Sequence, residues 1–395
     1  MKKAVLFSGF SFFAVAFNIL SAQEANPTPA VDSSPNPKFS VGALVDTYYS
    51  YKFQQVSRKD LGPTDGNVGY FNPTIFNATL ALAEISFTAR QGEAAFHIST
   101  IYGETADKMP NIDPVVTFGG PPPTGLLGIW EVYASYSPGD WAFKFGKLAA
   151  HMGNEVIESN KDWNYTRSLL FSSMLMPHYH VGLSANYTTP DKVFGATGYI
   201  YNGIDNDGLV VAPGEEKTYG LKLSVQPAPN FNLVFNGLTG PDPHTNNDVF
   251  GQSIMEIILN WKVTPELSFA LDAALNYQYP QSSLTAASNT YWGSALYGRY
   301  QIAKDWAVAF RLEETDNSSP ADTLFGSFVL PATNLEYREA TLTFEHNFSA
   351  HFLARLEGRY DYALSGGNPY PVGIGPYTDG ANDQGTATAS VVVSF

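Results

Sequence analysis

The chain of 395 residues contains no cysteine, which excludes disulfide frameworks and thiolate metal sites. Charge is scarce as well. Asp, Glu, Lys and Arg together make up 15%, against about 25% in an ordinary soluble protein. Basic residues are the rarer sign, with 22 Lys and Arg against 37 Asp and Glu and a net charge of −15. That balance disfavours nucleic acid as a partner, because phosphate binding needs clustered Lys and Arg. Past the first residues no stretch approaches about 18 consecutive apolar residues, so no transmembrane helix is expected in the mature chain. What the chain does hold is aromatic: 14% of residues, with 27 Phe and 23 Tyr, at a mean hydropathy of only −0.13. Little charge, many aromatics and no overall hydrophobicity suit a wall with one face in lipid and the other in water.

The amino terminus reads as an export label. Lys2 and Lys3 precede an uncharged stretch from Ala4 to Leu20, and Ser21-Ala22 offers small residues for cleavage. Residues 1–22 are therefore expected to be a signal peptide. The alternative is a single membrane anchor, but a run of about 17 residues is at the lower limit for a spanning helix, and Ser8, Ser11 and Asn18 interrupt it. Residues 23–37 read as a flexible leader, with Pro27, Pro29, Pro35 and Pro37 among small and polar residues.

From residue 38 to residue 395 the organising signal has period two. Phe39 to Gln54 puts Phe39, Val41, Val45, Tyr49 and Tyr51 on one face, with Asp46, Ser50 and Lys52 on the other. Phe352 to Tyr362 sets Leu356, Gly358 and Tyr360 against Arg355, Glu357, Arg359 and Asp361. Sixteen candidate strands begin near residues 39, 74, 92, 128, 141, 179, 193, 217, 231, 253, 267, 291, 306, 335, 352 and 385. The gaps between them alternate. Tight reversals such as Ser137-Pro138-Gly139-Asp140, Thr264-Pro265-Glu266 and Ala303-Lys304-Asp305 take turns with long polar loops. Short turns at one rim and long loops at the other predict a transmembrane antiparallel up-and-down β-barrel of the outer-membrane kind, its short turns periplasmic. A soluble sandwich has no reason to follow this alternation.

Tryptophans provide a second indication. Trp141, Trp261 and Trp306 stand beside short turns, and Trp130 and Trp292 beside long loops, all on the apolar parity. Two aromatic girdles at the membrane–water interfaces are expected from them. The last strand ends in Phe395, as a terminal signal read by the barrel-assembly machinery would. The second strand is irregular, since Glu84 shares the parity of Phe76, Leu80 and Leu82; a bulge or a shifted boundary is expected there.

Sixteen strands leave an aqueous channel unless something plugs it. The longest loop, residues 150–178, is the candidate occupant. Its Leu169-Leu170-Phe171 would be costly exposed outside, and folding into the lumen would bury it; an outer cap or a subunit contact is the other reading. Glu155, Glu158, Asp162, Trp163, Tyr165 and Arg167 are the loop's candidates for a constriction. By parity the wall adds Lys52, Lys144, Lys222, Arg299, Arg311, Arg355 and Arg359, with Asp46, Glu131, Glu256, Asp272 and Glu357. Rings of charge set ion preference, and the loop's acids tilt this set slightly towards cations. The simpler reading is that opposite charges on adjacent strands pair to hold the wall.

Several motifs resemble one family. Gly146-Lys147, Gly153-Asn154-Glu155, the run Asn164 to Phe171, Pro177 and His180-Val181-Gly182 are similar to the β-barrel porins of the OmpL-like type. So are Asn202-Gly203-Ile204-Asp205-Asn206, Lys217-Thr218-Tyr219-Gly220, Asn236-Gly237 and Gly240-Pro241, although the family usually has Trp where Ile204 stands. The resemblance spans residues 38 to 395 and implies an outer-membrane porin passing small hydrophilic solutes or ions, with no cofactor. In general porins the third long loop folds inward, and 150–178 is the third here; a homotrimer follows by the same analogy. Two rivals stay open. A plugged barrel could serve as adhesin or structural anchor. An outer-membrane hydrolase would need a nucleophile, a base and an orienting group, yet no Gly-x-Ser-x-Gly motif is present. His178 and His180 share a face with His151 nearby, but no third ligand is apparent. Tyr165 and Trp163 could stack on sugar rings in a nutrient-specific variant of the channel.

Overall fold

The computed structural model describes residues 36–53, 71–108, 128–172, 176–203, 217–242, 250–280, 288–317, 335–364, 370–372 and 379–395. The expected signal peptide lies outside these residues, as does the leader apart from its last two positions.

Along the chain run β1 (Lys38–Lys52), β2 (Ala78–Gln91), β3 (Ala94–Tyr102), β4 (Gly128–Tyr136), β5 (Trp141–Ala149), β6 (Tyr179–Thr188), β7 (Phe194–Tyr201) and β8 (Thr218–Ala228). They are followed by β9 (Phe231–Asp242), β10 (Phe250–Lys262), β11 (Leu267–Pro280), β12 (Asn289–Ala303), β13 (Trp306–Asn317), β14 (Leu335–Ser349) and β15 (Phe352–Ala363). A small separate hairpin, β16 (Tyr370–Val372) with β17 (Asp379–Ala381), sits in the last long loop before β18 (Asp383–Ser394). The hairpin aside, each strand pairs antiparallel with its neighbour in sequence, and β1 pairs with β18 from Leu44 opposite Ser394 to Lys52 opposite Thr386. The result is a closed sixteen-stranded barrel. Closure leaves no backbone edge to face lipid, which is why such a wall can cross a membrane without a helix. The only α-helices among the described residues are α1 (Glu104–Lys108) and α2 (Leu169–Ser172), and no described helix is long and apolar enough to span.

The alternation expected from sequence is realised physically. Along β15, Leu353, Arg355, Glu357, Arg359 and Asp361 are buried inside, while Phe352, Leu356 and Tyr360 are exposed on the outer face. Along β1, Val41, Val45, Tyr49 and Tyr51 face out, and Asp46, Ser50 and Lys52 face in. An apolar outer face is uncovered here because its solvent is lipid. Two of the short reversals use left-handed glycines, Gly92 (φ 57) and Gly139 (φ 58), a conformation in which a Cβ is costly.

The irregular second strand begins at Ala78, later than the sequence suggests, and contains a bulge. Asp46 pairs with Leu82 but Thr47 pairs with Leu80, leaving Ala81 unmatched. That extra residue reverses the parity, so Leu80 stays outside while Leu82, with relative exposure 0%, turns inward along with Glu84.

One girdle residue needs correction. Trp130 was expected on the outer face but is buried at 4%. Ser99 pairs with Glu131 and Thr100 with Ile129, so Trp130 is itself the extra residue of a bulge. Its ring packs edge-on against Tyr179, centroids 6.5 Å apart. Trp141, Trp292 and Trp306 are exposed on the outside, and Trp261, on the same face as Met255 and Ile257, is partly covered.

Candidate functional site

The long loop between β5 and β6 lies against side chains that point into the barrel. Its backbone needs partners, because a buried N–H or C=O left unpaired is costly. The wall supplies them with a consistent division of labour. Carboxylates take the N–H groups: Glu256 accepts from Gly153 (2.8 Å) and Asp272 from Asn154 (3.0 Å). Glu357 accepts from Tyr165 (2.6 Å) and Thr166 (3.0 Å), and Glu313 from Leu169 (2.6 Å) and Leu170. Arginines take the carbonyls. Arg355 donates to Ser159 O and Asp162 O (both 2.5 Å), and Arg311 to Thr166 O (2.5 Å). Arg359 and Arg311 share Arg167 O at 2.7 and 3.3 Å. Charged partners make such bonds about twice as strong as neutral ones.

Side chains extend the network. Ser159 and Tyr165 both donate to Asp46, at 2.7 and 3.0 Å, and Asn164 donates to Thr343 (2.8 Å). Arg311, fully buried, bridges Glu155 of the loop and Glu339 of β14 at 2.8 Å each. Within the loop, Arg167 pairs with Asp162 (3.0 Å) and donates to Val156 O, Ile157 O and Tyr165 O. Burial pushes the Asp162 carboxyl up to about 8; Arg167 opposes the rise and Glu155 adds to it. Burial alone would lower Lys161, but the charge of Glu158 (3.2 Å away), and then of Glu84 and Glu131, raises it instead.

Leu169, Leu170 and Phe171 are buried at 1%, 0% and 5%. Phe71, from the first long loop, covers them, its ring 5.7 Å from Phe171 and 5.5 Å from His178. Tyr165 is fully buried and Trp163 packs beside the same cluster. The sugar-stacking role considered for Tyr165 therefore has no open ring face to use.

The remaining candidates fall into two groups. Asp46, Lys52, Glu256, Asp272, Arg311, Arg355, Glu357 and Arg359 are all buried at 5% or less. Glu131, Lys144, Lys222 and Arg299 are only partly covered. Glu131 accepts from Ala149 N (3.0 Å), Lys144 lies 4.6 Å over the Tyr133 ring, and Arg299 pairs with Glu345 at 2.8 Å. Lys222 sits across from Thr197 and Asn236. The asymmetry follows the loop. Most inward positions on β10 to β15 are buried, Lys262, Ser268 and Arg299 near the short turns apart, whereas Ser86, Thr88, Tyr133, Asn186 and Ser224 on the opposite wall stay partly exposed.

Glu339 and Glu345 escaped the sequence reading although β14 alternates Tyr337, Glu339, Thr341, Thr343 and Glu345 inward; period two on that strand would have found them. A second missed cluster ties the upper loops to the wall: Tyr48 and Thr74 both donate to Glu104 of α1. Two of the histidines, His151 and His180, lie with ring centroids 6.3 Å apart and each stacks on a tyrosine. His151 lies on Tyr199 (4.1 Å) and His180 on Tyr201 (4.2 Å). Among the described residues no cluster of three or more His, Cys, Asp or Glu could hold a metal.

A closed sixteen-stranded barrel with an apolar outside and a charged, loop-bearing inside defines a porin-type barrel of the outer membrane. The chain belongs to the family described as "Putative beta-barrel porin-2, OmpL-like", whose model matches residues 38–395. No curated protein matches by sequence. Among solved structures, the anion-selective porin from Comamonas acidovorans superposes with a TM-score of 0.60 at 10% identity, covering 91% of this chain and 100% of that one. The outer membrane channel DcaP of Acinetobacter baumannii gives 0.56 at 13%, covering 93% and 100%. OmpT of Vibrio cholerae, an outer membrane protein in its trimer form, gives 0.57 at 9%, covering 91% and 99%. At such identities the likeness is one of fold.

Proposed function

We propose that the protein is a porin through which small hydrophilic solutes or ions diffuse passively, with the loop at 150–178 as its constriction. The observation that carries this reading is the one-sided placement of the loop. It is bonded to β1, β9, β10, β11, β13, β14 and β15, while Ser86, Thr88, Tyr133, Asn186 and Ser224 on β2 to β8 keep part of their surface. A barrel of this size leaves an aqueous lumen, and a loop fixed to one wall narrows it without needing to fill it. Purified protein in a planar lipid bilayer is expected to give stepwise openings of uniform size. Silence from folded, inserted protein would support a plugged anchor instead.

A homotrimer is proposed by analogy with the Vibrio barrel, and Phe395 as the residue read by the assembly machinery. Phe395 supports the latter because its side chain is 73% exposed on the outer face, stacked on His351 at 5.1 Å. Its backbone meanwhile exchanges both hydrogen bonds with Ala43, at 2.9 and 3.2 Å. Deleting Phe395 is expected to reduce heat-resistant barrel in outer-membrane fractions several-fold while total synthesis is unchanged. Full assembly of the deleted form would remove the residue's proposed role.

A further inference from the structure

We infer that two loops narrow this pore: residues 71–75 of the first long loop strap the third loop into the lumen and share in setting the largest solute admitted. The inference rests on the porin reading above and adds the parts that set its size limit. Phe71, Asn72, Pro73, Thr74 and Ile75 are all buried, which a polar outer loop has no need to be. Pro73 suits such a place, because proline has no N–H to leave unanswered. Phe71 lies 5.7 Å from Phe171 and joins the apolar cluster that holds Leu170. Asn72 donates to the Tyr165 hydroxyl at 3.4 Å, and Tyr165 in turn donates to Asp46. Thr74 N donates to the Tyr48 hydroxyl at 3.1 Å. Tyr48 is buried on the inward side of β1, as Asp46 is, so the strap runs inside the barrel.

The second long loop clasps the strap. Glu104, the first residue of α1, accepts from the hydroxyls of both Tyr48 and Thr74. A charged acceptor makes such bonds stronger than neutral ones. Just beyond, the chain turns out of the lumen. Phe76 N donates to Ser50 O at 2.7 Å, and the Phe76 ring meets Tyr51 on the outer face, centroids 5.3 Å apart. Phe76 has φ 61, a left-handed conformation uncommon for a bulky residue. Such strain persists where surrounding contacts over-determine it. The segment is thus pegged on both faces of β1, with Glu104 as a positioning residue. A strap fixed in this way keeps the apolar turn of the third loop in place, and the two loops bound the narrow section together. Its mark in the sequence is of the kind that singled out the third loop: Phe71 and Ile75 are apolar residues in a polar connection.

The test is liposome swelling with uncharged sugars of graded size, read beside amide hydrogen exchange. Tyr48→Phe with Thr74→Val removes both hydroxyl donors to Glu104 and keeps the side-chain shapes. Exchange at Asn72, Thr74 and Ile75 is expected to accelerate. Sugars that the wild type excludes are expected to enter several-fold faster, with the thermal transition of the barrel unchanged. Adding Phe71→Cys and Phe171→Cys gives this variant its only thiols, and a short bis-maleimide linker between them is expected to restore the wild-type limit. A size limit that stays at the wild-type value despite faster exchange, or that the linker does not restore, would overturn the inference. So would unchanged exchange, since Glu104 would then not hold the strap. These outcomes leave the porin reading standing. Inserted wild-type protein that passes no sugar of any size would instead remove the porin reading and this inference with it. Should the double variant fail to insert, Glu104→Gln decides by the same readouts.

Discussion

Arg311→Met is expected to destabilise the loop–wall assembly by about 3–5 kcal/mol, the cost of removing one partner from a buried ion pair. Arg311 has relative exposure 0% and meets two carboxylates, Glu155 and Glu339, at 2.8 Å each. Its guanidinium also reaches Thr166 O and Arg167 O. Methionine fills much of the volume but offers no donor. Glu155 and Glu339 would then lie buried beside Glu313 with their compensating charge gone. The loop is the softer side of this contact, because the barrel strands keep their own ladder bonds. The expected readouts are a lower thermal transition in detergent and a larger, noisier single-channel conductance. Unaltered conductance together with wild-type thermal stability would show that Arg311 does not hold the loop.

Glu313→Gln combined with Glu357→Gln should free the loop while leaving the barrel closed. Each carboxylate accepts from two consecutive loop N–H groups, a task that needs two acceptor oxygens. Glutamine retains one and turns an NH2 towards the other donor. A hydrogen bond to a charged group contributes about 1.5–3 kcal/mol, so each replacement costs a comparable amount. Glu357 also accepts from the hydroxyls of Thr166 and Thr343, which makes it the costlier of the two. Hydrogen exchange at Tyr165, Thr166, Leu169 and Leu170 is expected to accelerate by an order of magnitude or more, with exchange in β13 and β15 unchanged. Uniform acceleration across those strands would mean that the carboxylates support the wall itself.

Which parts of this architecture can be read from the chain follows from where the information lies. The wall of β15 is legible because its alternation is unbroken: Arg355, Glu357, Arg359 and Asp361 point inward at every second residue. Trp130 is illegible because one unmatched residue reverses parity, and nothing in Gly128-Ile129-Trp130-Glu131 marks the bulge. At Ala81 a clue existed, since Glu84 conflicted with its apolar neighbours. The loop announced itself through Leu169-Leu170-Phe171, yet its bonding could not be foreseen. Wall charges were expected either to face water or to pair across strands. Several instead hold backbone groups of the loop, and backbone N–H and C=O are the same in every sequence. Tyr165 shows the same limit: an aromatic expected to face the constriction donates its hydroxyl to Asp46 from a fully buried position.

The loop is also made long before the residues that hold it. Ser159 follows Asp46 by 113 positions, but Thr166 precedes Glu357 by 191, and β1 and β18 meet across 344 positions at Thr47 and Val391. Contacts so distant in sequence form late, because the loop-closure entropy must be overcome before they give any return. During synthesis the segment from Gly153 to Leu170 therefore waits for β10 to β15 with its polar backbone unanswered. Docking of the loop and sealing of the first strand to the last belong to the same closing stage of folding. A chain stopped before β15 would lack the seal and the loop contacts of Arg355, Glu357 and Arg359, and would be a template for misassembly rather than a smaller barrel.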